Sequence, residues 1–176
     1  MRYWLSLVRI IVVGAALTTG AVTLTACTVP VHGLTGVMLS PSGQLTAVLG
    51  WCPGHAPDAL ILYKRADDPK EELTLGDWHS SQRPAGRYAE LTLDRPPPGW
   101  RAHTPLQILN PQETYVIYGA TQTNSSSTSS VSFTTAALEN IPRGTIQIGY
   151  TSSGENTLPY VDRTEFQRQV GRRYGC

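Results

Sequence analysis

From Gly33 onward the chain reads as short β-prone stretches separated by clusters of turn residues. Gly33–Leu39 and Gln44–Trp51 are joined at Ser40-Pro41-Ser42-Gly43, where Pro and Gly stand as a tight turn requires. After a second turn at Pro53-Gly54-His55-Ala56-Pro57, Asp58–Arg65 holds the run Leu60-Ile61-Leu62-Tyr63, a buried or nearly buried strand. Asp67–Glu72 is a charged, exposed loop, and Glu72–Trp78 and Arg87–Leu93 form a further strand pair. In the second of these, Ala89, Leu91 and Leu93 alternate with Tyr88, Glu90 and Thr92, so one face is apolar and the other wet. Pro96-Pro97-Pro98-Gly99 lacks three amide donors, which keeps Asp94–Thr104 out of any central strand. Thr114–Thr121 is an aromatic strand, Val131–Thr135 its partner, and the polar, low-complexity tract Thr123–Ser130 reads as a mobile hairpin loop between them. Thr145–Tyr150 adds one more strand, alternating Ile146 and Ile148. The period then changes: Phe166, Val170 and Tyr174 recur every four residues, the stripe of an amphipathic helix, with Thr164 and Gln167 resembling a capping box. Seven or eight short strands predict a mainly all-β, antiparallel sandwich with a short C-terminal α-helix.

The N-terminus follows a different pattern. Arg2 and Arg9 precede an uncharged apolar or small stretch from Ile10 to Leu24. At 1.5 Å per residue this spans about 22 Å, short for a transmembrane helix, and it reads as the h-region of a secretory signal. Leu24-Thr25-Ala26-Cys27 looks like the bacterial lipobox, which implies cleavage before Cys27 and acylation of its thiol. Two diacylglyceryl chains hold a protein at a membrane where a single chain binds only reversibly. The rival readings are an ordinary signal peptide with an incidental Cys, or a short membrane anchor. Residues 1–26 are thus expected to be a lipoprotein signal peptide, 27–32 a lipidated tether, 33–135 the sandwich, and 136–176 a strand-and-helix extension.

Without residues 1–26 the chain keeps 12 Lys+Arg against 13 Asp+Glu, a net charge of −1. That excludes a strongly basic nucleic-acid binder and leaves membrane attachment to the lipid. With Cys27 spent on lipid, Cys52 and Cys176 remain, and in an oxidising compartment such a pair tends to form a disulfide. Two free thiols, or an intermolecular bridge through Cys176, are the alternatives.

Three local patterns together resemble the fibronectin type III-like branch of the immunoglobulin sandwiches. Leu109-Asn110-Pro111-Gln112-Glu113-Thr114-Tyr115 is similar to that family's tyrosine corner, and the resemblance implies that Tyr115 hydrogen-bonds back to the preceding turn. Val131-Ser132-Phe133-Thr134-Thr135 resembles its closing strand, and Leu45–Trp51 its second strand with a core Trp. The resemblance covers about Gly33 to Thr135. The proline-rich insertion and the segments after Thr135 depart from it. They look more like a set of uncharacterised lipoproteins of Gram-positive actinobacteria, which implies localisation and fold but no activity.

Catalytic signals are sparse. His32, His55, His79 and His103 have no local metal-ligand spacing, and no Cys-x-x-Cys or glycine-rich phosphate loop is present. Asp77 and His79 flank Trp78 and point the same way on a strand, a dyad without a nucleophile. Ser152-Ser153-Gly154-Glu155 is not a nucleophile elbow. Trp78, Tyr88 and Trp100, near turns or loops, are candidates for a surface that stacks on a sugar or anchors a protein; the alternative is that they cover the sandwich edges. Arg163, Arg168, Arg172 and Arg173 read as the solvated face of the last helix. In the Ser/Thr tract, O-linked sugars and the Asn124-Ser125-Ser126 sequon are the functional alternatives to a plain loop. The expectation is therefore a non-catalytic binding or scaffolding module of the bacterial envelope, with no cofactor, no metal and no nucleic acid. Its partners would be the membrane, through the anchor, and an envelope protein or cell-wall glycan. The alternative is an accessory or solute-binding lipoprotein of an envelope transporter or enzyme.

Overall fold

Strand β1 (Val31–Leu39) is the organising element of the computed structural model, which describes residues 28–149 and 160–176. The other strands are β2 (Leu45–Trp51), β3 (Ala59–Lys64), β4 (Leu73–Ser80), β5 (Tyr88–Thr92), β6 (Trp100–Thr104), β7 (Tyr115–Ala120), β8 (Ser127–Ser129), β9 (Val131–Phe133), β10 (Ile146–Ile148) and β11 (Tyr160–Val161). Helices α1 (Thr135–Glu139) and α2 (Arg163–Tyr174) complete the fold, with one 3-10 turn at Pro69–Glu71. The signal-like segment, Cys27 and Ser152–Glu155 lie outside the described residues. No described helix is long and apolar enough to cross a membrane.

One edge of β1 pairs antiparallel with β2 along its length, from Gly33↔Trp51 to Leu39↔Leu45, and β2 in turn carries β5. The other edge is shared: β8 runs parallel to its first half and β10, which carries β11, antiparallel to its second. In the second arm β3 lies between β7 and β4, β6 extends β4, and β7 takes β8 and β9 on its far edge. Because β8 touches both β1 and β7, the arms form a single curled, mixed sheet. The strand and helix after Thr135 are continuous with it.

Two apolar layers follow from this curl. Val37, Ala47, Leu49, Trp51, Leu91 and Leu93 of the first arm meet Leu60, Leu62, Trp78, Tyr115, Ile117 and Phe133 of the second. The opposite face of β1 and β2 presents Leu34, Met38 and Val48 to Ile146, Ile148, Phe166 and Val170. Both strands are therefore buried on both sides, which explains their near-continuous apolar runs. Two glycines let α2 sit close: a Cβ on Gly36 would overlap Ile146, and one on Gly50 would lie 2.6 Å from Val170 Cγ2 and 3.0 Å from Phe166 Cε1. The Cys52–Cys176 disulfide, with Cα atoms 5.6 Å apart, fastens the far end of α2 to the end of β2. Arg87 donates to the Cys176 carbonyl at 3.0 Å beside it.

Several local expectations change. The start of α2 is capped by Asp162, whose Oδ1 accepts from the Glu165 amide at 2.8 Å, so Thr164 and Gln167 are not the capping pair. The helix ends at Gly175 in the left-handed region, φ 70°. The Ser/Thr tract is not a plain loop. Its second half is β8, and Thr128 is buried because its Oγ1 accepts from the Gly119 amide at 2.7 Å and meets Thr35 Oγ1 at 2.5 Å. Within Asp94–Thr104, β6 pairs among the described residues only with β4, an edge position in keeping with the exclusion of this segment from a central strand. Tyr115 does fold back, its hydroxyl accepting from the Asn110 amide at 2.7 Å and donating to the Asn110 carbonyl at 3.0 Å.

Candidate functional site

The three aromatics singled out in the sequence do not make an exposed platform. Trp78 is 1% and Trp100 8% exposed, both within the larger core, and Trp78 Nε1 donates to the Leu93 carbonyl at 3.1 Å. The register of β4 turns Trp78 inward because Leu60 lies opposite it. Tyr88 is half-buried beneath α2, edge-on to Phe166 at 6.0 Å, with its hydroxyl donating to Glu90. Arg163 clamps Glu90 from the helix, with Nε at 2.5 Å from Oε1 and Nη2 at 3.0 Å from Oε2. Burial, then the Glu90 bond, drives the Tyr88 hydroxyl well above its ordinary value. Burial alone would raise the Glu90 carboxyl, but the Arg163 and Tyr88 hydrogen bonds outweigh it and hold it below the usual range. This cluster locks a helix to a sheet, and its three members are engaged with one another. Arg168 likewise pairs with Glu165 within the helix.

The other side of the molecule is different. Strand alternation sends Leu60 and Leu62 into the core and Ile61 and Tyr63 outward. Pairing then sets Tyr118, Ile61 and Asp77 in one row across β7, β3 and β4, with Val116, Tyr63 and Thr74 in the next. Among the described residues no helix covers these rows. They floor a groove of about 760 Å³ bounded by Val31, Ile61, Tyr63, Glu72, Thr74 and Tyr118. Tyr63 and Tyr118 meet edge to face at 6.3 Å. Burial and then the Glu72 carboxylate raise the Tyr63 hydroxyl; burial, Asp77 and then Glu72 raise that of Tyr118. Glu72 itself lines the groove beside both rings.

Asp77 and His79 do share a face, 3.0 Å apart, and His79 stacks on His103 with ring centroids 5.3 Å apart. His32 stacks on His55 at 3.8 Å. Among the described residues no hydroxyl or thiol is hydrogen-bonded to His79, and no group of three or more His, Cys, Asp or Glu is placed to hold a metal. The arrangement can bind, through two aromatic rings, the Glu72 carboxylate and the hydroxyls of Thr74 and Ser129, with Asp77, paired to His79, in the same row as Tyr118. A second hollow of about 550 Å³, near Leu45, Pro96, Leu106 and the fully exposed Ile108, offers mainly apolar contact. The groove residues come from five segments and carry no local motif. The only hint in the sequence was the outward phase of Tyr63 and Tyr118 in otherwise apolar strands.

No family model, curated protein or solved structure matches the chain.

Proposed function

We propose that this chain is a lipoprotein anchored through Cys27 to the extracytoplasmic face of a bacterial cell membrane. Its immunoglobulin/fibronectin III-like domain would be a non-catalytic binding or scaffolding module. The observation that carries the binding role is the asymmetry of the two outer sheet faces. One is sealed by α2 and the disulfide, while the other leaves Tyr63 and Tyr118 in an open groove. Large aromatic side chains left on an uncovered concave face are what recognition surfaces use.

The domain identity is supported by the strand pairing β5-β2-β1 against β4-β3-β7-β9 and by the backward hydrogen bonds of Tyr115, which such sandwiches use at a tyrosine corner. Compartment is supported by the Cys52–Cys176 bridge, since disulfides persist where the surroundings are oxidising. Only Thr28, Val29 and Pro30 separate Cys27 from β1, a reach of at most about 14 Å. Val31 lines the groove, so a partner would be met close to the membrane surface. A small-solute carrier encloses most of its ligand, whereas this groove lies open across a sheet, which favours a macromolecule.

The test is a photoreactive amino acid placed at position 118 in cells, with position 168 on the α2 face as control. A discrete species crosslinked only from position 118 is the expected result. Equal or absent crosslinking from the two positions refutes the binding role. Separately, Cys27→Ser is expected to abolish acylation and to accumulate unprocessed protein; membrane retention without that accumulation refutes the anchor.

A further inference from the structure

Resting on that reading, we infer that the Tyr63–Tyr118 groove takes a lysine- or arginine-bearing polypeptide segment rather than an anionic or neutral glycan. The rings and the carboxylates share one place: Glu72 lines the groove with Tyr63 and Tyr118, and Asp77, paired with His79 at 3.0 Å, stands in the Tyr118–Ile61 row. An aromatic face beside a carboxylate is the arrangement that attracts an ammonium or guanidinium group. Charge around the groove points the same way. Residues 65–77 carry Asp67, Asp68, Glu71, Glu72 and Asp77 against Arg65 and Lys70. The neighbouring Lys64 is paired with Glu113 at 2.6 Å, on the other side of β3 from Tyr63. Phosphate- or carboxylate-rich wall polymers would meet like charge here, which suppresses the wrong partner. Thr74 and Ser129 along the groove supply hydroxyl donors and acceptors for an extended backbone.

The test uses the full chain in neutral detergent micelles, labelled with 3-fluorotyrosine, with fluorine resonances assigned through Tyr63→Phe and Tyr118→Phe. Three probes are titrated: hexalysine, hexaglutamate and chitotetraose. Hexalysine is expected to shift both groove signals saturably. Its affinity should fall at least 5-fold in the Glu72→Gln/Asp77→Asn double variant, and by a similar factor between 50 and 300 mM salt, following the screening of exposed charge. Thr74→Lys, an exposed substitution that places a cation in the groove, should abolish the shift without altering the melting temperature. The inference is overturned if hexaglutamate or chitotetraose shifts the signals as strongly, if hexalysine shifts neither, or if neither charge change weakens binding. A position-118 crosslink to a glycan or to an acidic protein segment would likewise overturn it while leaving the binding role standing. Loss of that crosslink altogether removes the binding role itself.

Discussion

Gly50→Ala puts the packing of α2 to a test in which two physical effects have opposite signs. Gly50 lies in the middle of a β-pairing ladder, opposite Leu34 on one side and Tyr88 on the other, at an ordinary extended backbone. Conformational entropy alone would make alanine stabilising there by about 0.5–1 kcal/mol. Sterics oppose this. The new Cβ would stand 2.6 Å from Val170 Cγ2 and 3.0 Å from Phe166 Cε1, where unstrained carbon pairs sit about 3.5–4.0 Å apart. Val170 is β-branched within a helix and cannot turn away cheaply, and α2 cannot easily slide because the disulfide holds its end. Overpacking of this kind costs about 1–3 kcal/mol, so the net change is destabilising by about 1–2 kcal/mol. Val170→Ala alone removes buried methyl groups and costs on the order of 2 kcal/mol. In the double variant the new methyl occupies part of the space vacated. The two changes should therefore be sub-additive by about 1 kcal/mol or more. Urea denaturation of the four oxidised proteins, followed by tryptophan fluorescence, measures the cycle. A stabilised Gly50→Ala protein, or strict additivity, would refute the close approach of helix and sheet.

Three further outcomes are expected. Replacing Cys52 and Cys176 by alanine removes a cross-link across a separation of 124 residues, worth up to about 5 kcal/mol in the chain-entropy model; an unchanged melting temperature would show that the denatured chain is not constrained by it. Glu90→Gln should destabilise in a pH-dependent way. The folded carboxyl titrates below its ordinary value, so its contribution is full above about pH 5 and disappears as pH falls through the folded value. The melting-temperature gap between wild type and variant should close on acidification, and a gap independent of pH refutes the clamp. Thr128→Val keeps the shape but leaves the Gly119 amide and the Thr35 hydroxyl without their partner, costing about 1–3 kcal/mol. A change within about 0.5 kcal/mol, typical of an exposed loop, would return the tract to that reading.

The contrast between β5 and β8 shows what could be read from residue order. Leu91 and Leu93 advertise their burial by alternation, and Phe166 and Val170 do so by a spacing of four. Thr128 is as buried as its apolar neighbours, but its burial rests on hydroxyl and amide partners from β1 and β7, distant in sequence. A polar tract looks the same in a chain whether such partners exist or not. Trp78 illustrates the converse: its place near a turn suggests a surface aromatic, although alternation against Asp77 and His79 within the strand turns the indole into the core. The groove was hidden for a third reason. Its chemistry is distributed over β3, β4, β7 and the loop before β4, and only the inter-strand register brings Tyr118, Ile61 and Asp77 into line.

Strand β1 carries a consequence for the order of synthesis. It emerges first among the described strands, yet Gly36 pairs with Ile148, 112 positions later in the chain. Delivered from its N-terminal end, whether by the ribosome or across a membrane, β1 is presented well before that partner. In the interval β1 can close its β2 edge, but the half of its other edge that β10 covers stays open and its outer face lacks Phe166 and Val170. An open strand edge with two greasy faces is the feature that recruits neighbouring nascent chains. The fold thus places its greatest need for a holding chaperone at the beginning of the chain and its relief near the end.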